Sequence, residues 1–206
     1  KRETDQRLHL GVDLGSNRIA SVELTDVKGT ETLERFSVAP GEIMIADRGY
    51  GTRAGMSYVA RRGAFYVVRF PWTAVPLETT DGEPFGLLDA LRTLPEADAG
   101  EFAVRFEAPG GTRIDARLVA IRKSEPAAAR AREQALRQRT KKGVAAVKTH
   151  TLELAGYFFV LTNLPPEISA ESVLQLYRLR WQIEMKFKTL KSVLHLDEVP
   201  ARTEQS

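Results

Sequence analysis

The sequence predicts an α/β protein: a mixed sheet with flanking helices, interrupted by a β-rich insertion. Three observations carry that expectation. Near the N-terminus a strand pattern, a helical pattern and a second strand pattern follow one another at the spacing of a crossover unit. Two pairs of alternating apolar runs are joined by turn residues, as in hairpins. After the last apolar run, YFFVL, comes a long amphipathic helical pattern. At 206 residues, 43% of them hydrophobic, the chain is long enough to bury one substantial core.

In the first hairpin, RLHLGVDLGSNRIASVEL, Leu8, Leu10 and Val12 share one face, Ile19 and Val22 serve the second strand, and Gly15, Ser16 and Asn17 supply the turn. Asp13 either closes that turn or opens a nucleotide site, and the local pattern does not choose. Residues 30–36 suit a short helix. Ile43 to Ala46 then form a buried strand stopped by Asp47, Gly49 and Gly51. Residues 52–62 read as a helix ended by Gly63, and 64–70 as a strand closed by Pro71. In the middle, FAVRF and RIDARLVAI alternate around Pro109, Gly110 and Gly111, an antiparallel hairpin. Ser124, Glu125 and Pro126 start a basic helix that runs to Gly143. YFFVLTNLP returns to the sheet, and Ser169 caps a single helix over residues 170–195.

Composition narrows the chemistry. The absence of cysteine removes disulfides, thiolate nucleophiles and cysteine zinc sites, and suits a reducing compartment. The apolar runs fall far short of the ~20 residues that span a bilayer, and no signal-peptide pattern precedes the first strand, so a soluble protein without membrane partners is expected. The chain opens on Lys1 without a methionine, and a fragment is expected.

The net charge of +3 is segregated. Residues 81–110 hold seven acids against Arg92 and Arg105, whereas residues 122–142 hold eight Lys or Arg against Glu125 and Glu133. On the last helix Arg178, Arg180, Lys186, Lys188 and Lys191 are opposed by Glu184 alone. Two basic helices fit a polyanion, and they equally fit solvated faces; charge leaves both open. His9, His150 and His195 show no ligand spacing.

The last helix carries the sharpest signal. On a wheel stepped about 100° per residue, Tyr177, Arg180, Glu184, Lys188 and Lys191 fall on a stripe about 80° wide, beside an arc of Leu176, Ile183, Phe187 and Leu190. Such a helix buries one side and displays an aromatic, three cations and one carboxylate along its edge. Spacing alone favours a salt-bridged solvent face, worth a few tenths of a kcal/mol per pair. Trp181, next to the stripe, either stacks on a base or packs against the insertion, and packing is the expected role.

The phrase YRLRWQIEMKFKTLKS resembles bacterial insertion-sequence transposases of the DDE class. Tyr177, Arg180, Glu184 and Lys191 match their Y-(2)-R-(3)-E-(6)-K signature. RLHLGVDL, RIASVELTD and IADRGYG resemble consecutive segments of the same enzymes, so the likeness covers most of residues 7–70 and 157–200, and residues 71–156 only loosely. The resemblance implies a ribonuclease-H-like core over residues 1–70 and 157–206, with residues 71–156 as a β-rich insertion carrying a basic helix. It also implies a catalytic triad of two Asp and one Glu holding two Mg²⁺ or Mn²⁺ ions. Asp47 in ADRGYG matches the second Asp and Glu184 the Glu, as catalytic residues and metal ligands. The first Asp is expected on a strand preceding this chain, Asp13 matching a hairpin residue instead.

The chemistry of such a site is metal-dependent cleavage and joining of phosphodiesters, an endonuclease and recombination activity in which two ions about 3.5–4 Å apart serve the attacking and leaving oxygens. Hard oxygen ligands suit Mg²⁺ or Mn²⁺. By the same resemblance Tyr177, Arg180, Trp181, Lys188 and Lys191 are DNA-binding candidates, with transposon terminal inverted repeats and target DNA as partners. A homodimeric synaptic complex and a bacterial, cytoplasmic, nucleoid-associated location are implied too. With two of three acids, the fragment is expected neither to bind metal tightly nor to cleave DNA alone.

Two rivals stand beside this reading. One is a non-catalytic DNA-binding relic or repurposed transposase. The other is an actin-like ATPase, since GVDLGS and ADRGYGT each place Gly after Asp. Against it, Asp47 follows Asp13 by only 34 positions, and no later Gly-Gly motif follows a strand.

Overall fold

In the computed structural model, which describes residues 6–26, 28–141 and 149–193 (side chains of 138–141, 190, 191 and 193 excepted), two sheets organise the chain. The first is the N-terminal hairpin, β1 (Gln6–Asp13) antiparallel to β2 (Arg18–Asp26). Its turn is closed by Asp13: the amides of Gly15 and Ser16 donate to Oδ1 at 2.8 and 3.3 Å, and the Ser16 hydroxyl donates to Oδ2 at 2.6 Å. Asn17 takes the left-handed conformation (φ 57°) that its short amide tolerates.

The second sheet has five strands: β3 (Ile43–Ala46), β4 (Phe65–Val68), β5 (Ala99–Glu107), β6 (Arg113–Arg122) and β7 (Tyr157–Thr162), in the order β3-β4-β7-β6-β5. Only β3 and β4 are parallel, joined by the crossover helix α1 (Arg53–Arg61); the other pairs are antiparallel. The Thr52 hydroxyl caps α1 by accepting from the Gly55 amide at 3.1 Å. Only two residue pairs join β4 to β7, so side chains extend the seam: Asn163 bridges the Tyr66 amide (2.8 Å) and the Ala64 carbonyl (3.0 Å), and Thr162 donates to the Tyr66 carbonyl at 2.6 Å.

Alternation along these strands sends residues to two layers. Tyr66, Val68, Leu118, Ala120 and Leu161 face α1 and the short helix α2 (Leu87–Arg92), in a cluster with Met56, Val59, Leu91 and Phe106. Val67, Val119 and Val160 face the other way, under α5 (Ala170–Arg178), where Val173, Leu174 and Tyr177 cover them. Each such side chain contributes roughly 1.5–3 kcal/mol on burial. Between β6 and β7 lie α3 (Glu125–Lys141) and α4 (Thr149–Leu154). The mixed sheet with helices on both faces is the architecture expected of a ribonuclease-H-like core.

Three elements differ from expectation. Residues 30–36 give only a 3-10 turn, Leu33–Arg35, capped by Thr32. The central hairpin is longer than its alternation suggested, and it joins the main sheet through β7. The expected single terminal helix is two: after α5 the chain turns at Leu179 and continues as α6 (Arg180–Val193), with the amides of Leu179 and Gln182 making tight three-residue bonds to Leu176 and Leu179. The break lets α5 lie on the sheet while α6 serves the hairpin, where Lys186 Nζ donates to the Asn17 carbonyl at 2.6 Å. Residues beyond 193 lie outside the described part, so the predicted end of that helix near 195 does too.

Candidate active site

Among the described residues, β1 is hydrogen-bonded to β2 alone and β3 to β4 alone. Between them lies a groove of about 800 Å³, lined by Leu10 to Gly15, by Ile43 to Asp47, by Tyr50, and on the far side by the α6 residues Arg180, Ile183, Glu184 and Phe187. Asp47 enters it from the C-terminal end of β3, where the strand stops and Gly49 begins a turn whose amide donates to Asp47 Oδ1 at 3.1 Å. Glu184 enters from the second turn of α6. The two carboxylates thus line one groove from a strand end and from a helix.

Glu184 is held by Arg180, whose Nη2 donates to Oε1 at 2.7 Å. Burial is the strongest influence on the Arg180 guanidinium and opposes its charge, but Glu184, Tyr177 and Asp47 together keep it above its ordinary range. Its guanidinium carbon lies 5.6 Å from the centre of the Tyr177 ring, and its Nε is buried without a partner. Tyr177 is not displayed beside the cations, as the wheel suggested. It is 5% exposed, its ring packs on Phe158 at 5.3 Å, and its buried hydroxyl lies against the Arg180 guanidinium. Burial pushes that hydroxyl up, Arg180 and Arg69 pull it down, and Asp47 pushes it up again.

The other predicted binding residues are spread along α6. Lys188 is exposed. Trp181 is 56% exposed, more open to solvent than the packing role expected of it. Lys191 is in α6, but its side chain is outside the described residues.

Three further cations, not singled out from the sequence as site residues, gather at the same end of the sheet: Arg48 beside Asp47, Arg69 after β4 and Lys123 after β6. Burial lowers the Arg69 guanidinium and Arg48 lowers it further; burial lowers Lys123, and Arg69 and Arg48 add to this. Lys123 Nζ donates to the Ala155 carbonyl at 2.8 Å. Asp47 acts on Arg69 in the opposite direction, but among the described residues none of the three cations makes a salt bridge, and cations gathered in this way make a region that favours an anion. They come from strand ends far apart in sequence, so no local pattern announces them.

A divalent cation would find hard oxygen donors in Asp47 and Glu184. However, no group of three or more Asp, Glu, His or Cys side chains comes together among the described residues, so these residues do not supply a complete metal site. Nor is any helix among them long and apolar enough to cross a membrane.

The family description "Transposase DDE domain" matches residues 1–206. The chain belongs to the DDE transposase family. It is 40% identical over 202 residues to the transposase for insertion sequence element IS421 of Escherichia coli, covering 95% of this chain and 54% of that protein. It is 27% identical over 212 residues to the transposase for insertion sequence element IS231F of Bacillus thuringiensis subsp. israelensis, covering 93% of this chain and 44% of that protein. The transposase domain thus spans about half the length of the curated relatives it matches. No solved structure matches it. Within the domain, the turn-closing role of Asp13 and the family match leave the ATPase reading without support.

Proposed function

We propose that this domain is the catalytic part of a DNA transposase that cleaves and joins the strands of an insertion sequence. The observation that carries the reading is the shared groove: Asp47 and Glu184 line it together with Arg180, and Arg48, Arg69 and Lys123 stand at the same sheet end, none of them in a salt bridge among the described residues. Those cations suit phosphates, with Arg180 able to present a planar fork and Lys123 a point charge. Tyr177, Trp181, Lys188 and Lys191 complete the proposed DNA contacts, Tyr177 from beneath Arg180 through its hydroxyl.

Asp47 and Glu184 are proposed as two ligands of a pair of Mg²⁺ or Mn²⁺ ions, with a third carboxylate supplied from outside the described residues. The facing edges of β1 and β3 could take an extended strand between them, a natural carrier for it. In this reading residues 1–70 and 157–206 form the core, and residues 71–156 are an insertion that lends two strands to the sheet. The partners are the terminal inverted repeats and target DNA, the active form is a homodimer of the full-length protein, and the place of action is the bacterial nucleoid.

The second reading, a DNA-binding relic, is favoured by the Arg180 contact that occupies Glu184. Strand cleavage of terminal-repeat DNA by the full-length protein, with and without Glu184→Gln, decides between them. Loss of cleavage with retained DNA affinity in the variant supports the transposase; cleavage by neither protein, with DNA binding intact, supports the relic.

A further inference from the structure

His9 is the only histidine described as fully buried, at 0% exposure in the middle of β1, and both of its ring nitrogens are engaged. Nε2 lies 3.0 Å from the Thr25 hydroxyl and Nδ1 lies 2.8 Å from the Tyr50 hydroxyl. The bonding order follows from Thr25, whose hydroxyl donates its proton to the Asp26 carbonyl at 3.1 Å and therefore accepts from His9. Nε2 carries the hydrogen, Nδ1 is bare, and Tyr50 donates to it. The imidazole is neutral, in one tautomer, with donor and acceptor both satisfied.

Tyr50 belongs to the turn that begins at Asp47. The turn is tightly fitted at Gly51, where a Cβ would collide with the Arg69 carbonyl. Asp47, Arg48 and Gly49 are exposed, whereas the Tyr50 ring turns inward against Phe36 at 5.7 Å and meets His9 edge-on at 6.0 Å. Among the described residues the hairpin shares no backbone ladder with the main sheet, and side chains hold it there. At its tip Lys186 binds Asn17; at its base Arg35 pairs with Glu23 at 2.6 Å and Arg7 with Glu31 at 3.8 Å. Those ties lie on partly exposed side chains, whereas His9 is fully buried and makes a part-buried bond to Tyr50.

We infer that His9 is a positioning residue: through the hydroxyl of Tyr50 it latches the hairpin to the Asp47 turn and so fixes where the Asp47 carboxylate enters the groove. The inference rests on the reading of Asp47 as a site residue, but its structural half stands apart from any DNA chemistry.

The test is hydrogen exchange, followed by mass spectrometry, on the full-length protein and on His9→Leu, His9→Gln and Tyr50→Phe. His9→Leu and Tyr50→Phe should speed exchange in peptides covering residues 47–52 about tenfold, and leave those over residues 113–122 and 157–162 unchanged. Glutamine can accept from Tyr50 and donate to Thr25, so His9→Gln should restore slow exchange. Unchanged exchange at 47–52 in Tyr50→Phe would overturn the latch, as would equal acceleration across the sheet or a His9→Gln protein that exchanges as fast as His9→Leu. Cleavage of terminal-repeat DNA is read in parallel. A slower rate at unchanged DNA affinity in Tyr50→Phe supports the positioning role, and an unchanged rate overturns it. If the wild-type protein does not cleave, the transposase reading fails, while the exchange pattern still decides the latch.

Discussion

Arg180 and Glu184 stand one turn apart on α6, joined by a 2.7 Å hydrogen bond at the mouth of the groove that Asp47 also lines. A carboxylate held in this way is oriented, and its cation is kept close to where a phosphate would approach. The pair is partly solvated, so its value to folding is small, about 1 kcal/mol or less. Arg180→Ala should therefore leave the melting temperature of the full-length protein within a few degrees of wild type while cutting the rate of strand cleavage by about tenfold or more. Calorimetric melting and a gel assay of cleavage check the two halves separately.

Tyr177 offers a sharper separation of folding from function. Its hydroxyl is buried against the Arg180 guanidinium rather than solvated. Tyr177→Phe removes that one contact and keeps the ring on Phe158, so thermal stability should change by about 1 kcal/mol or less. If the hydroxyl is there for DNA, affinity for terminal-repeat DNA should fall in the same variant. Paired melting and fluorescence-anisotropy measurements would show both.

The cations at the sheet end predict a salt signature. Replacing one phosphate-contacting lysine or arginine lowers the slope of log affinity against log salt by about one. Lys123→Ala should do this, and so should Arg48→Ala, measured by DNA titrations between low and moderate salt. Removing Arg48 should also let the Lys123 ammonium, now held down by burial and by Arg69 and Arg48, recover part of its ordinary basicity.

His9 gives a pH dependence with a definite sign. Burial is the main cause that lowers it from 6.5; Arg35 and Arg7 lower it further, while Glu23 and Glu31 act against them. The folded state thus prefers neutral His9. Its contribution to stability is complete above pH 6.5 and is lost progressively as the pH falls from there through the lowered folded value. Tyr50, pushed up to about 12 by burial, Glu31 and Asp47, stays protonated across this window. The melting temperature should fall more steeply below pH 6.5 in the wild-type protein than in His9→Gln.

Much of the fold was legible because its signals are local. Alternation located the strands of both hairpins, Asp47 and the glycines after it stopped β3, and Ser169 marked the start of α5. What escaped depends on contacts distant in sequence. No proline or glycine marks Leu179, so the break between α5 and α6 was silent; it arises because one half packs on the sheet and the other reaches the hairpin. A helical wheel orders side chains by angle and does not say which angle meets the sheet, hence the misplaced exposure of Tyr177 and Trp181. Arg69 and Lys123 meet only because β4 and β6 both flank β7, and His9 meets Tyr50 only because the hairpin folds over the Asp47 turn.

The most direct test of the central claim, that Asp47 and Glu184 serve one centre, is Mn²⁺ binding to the full-length protein measured by titration calorimetry. The proteins compared are wild type, Asp47→Asn, Glu184→Gln and the double variant. A shared site predicts that each single change weakens the same binding event at least tenfold and that the double variant loses little more, because the second ligand has already lost its partner. Wild-type affinity in either single variant, or losses that simply multiply in the double, would contradict the account.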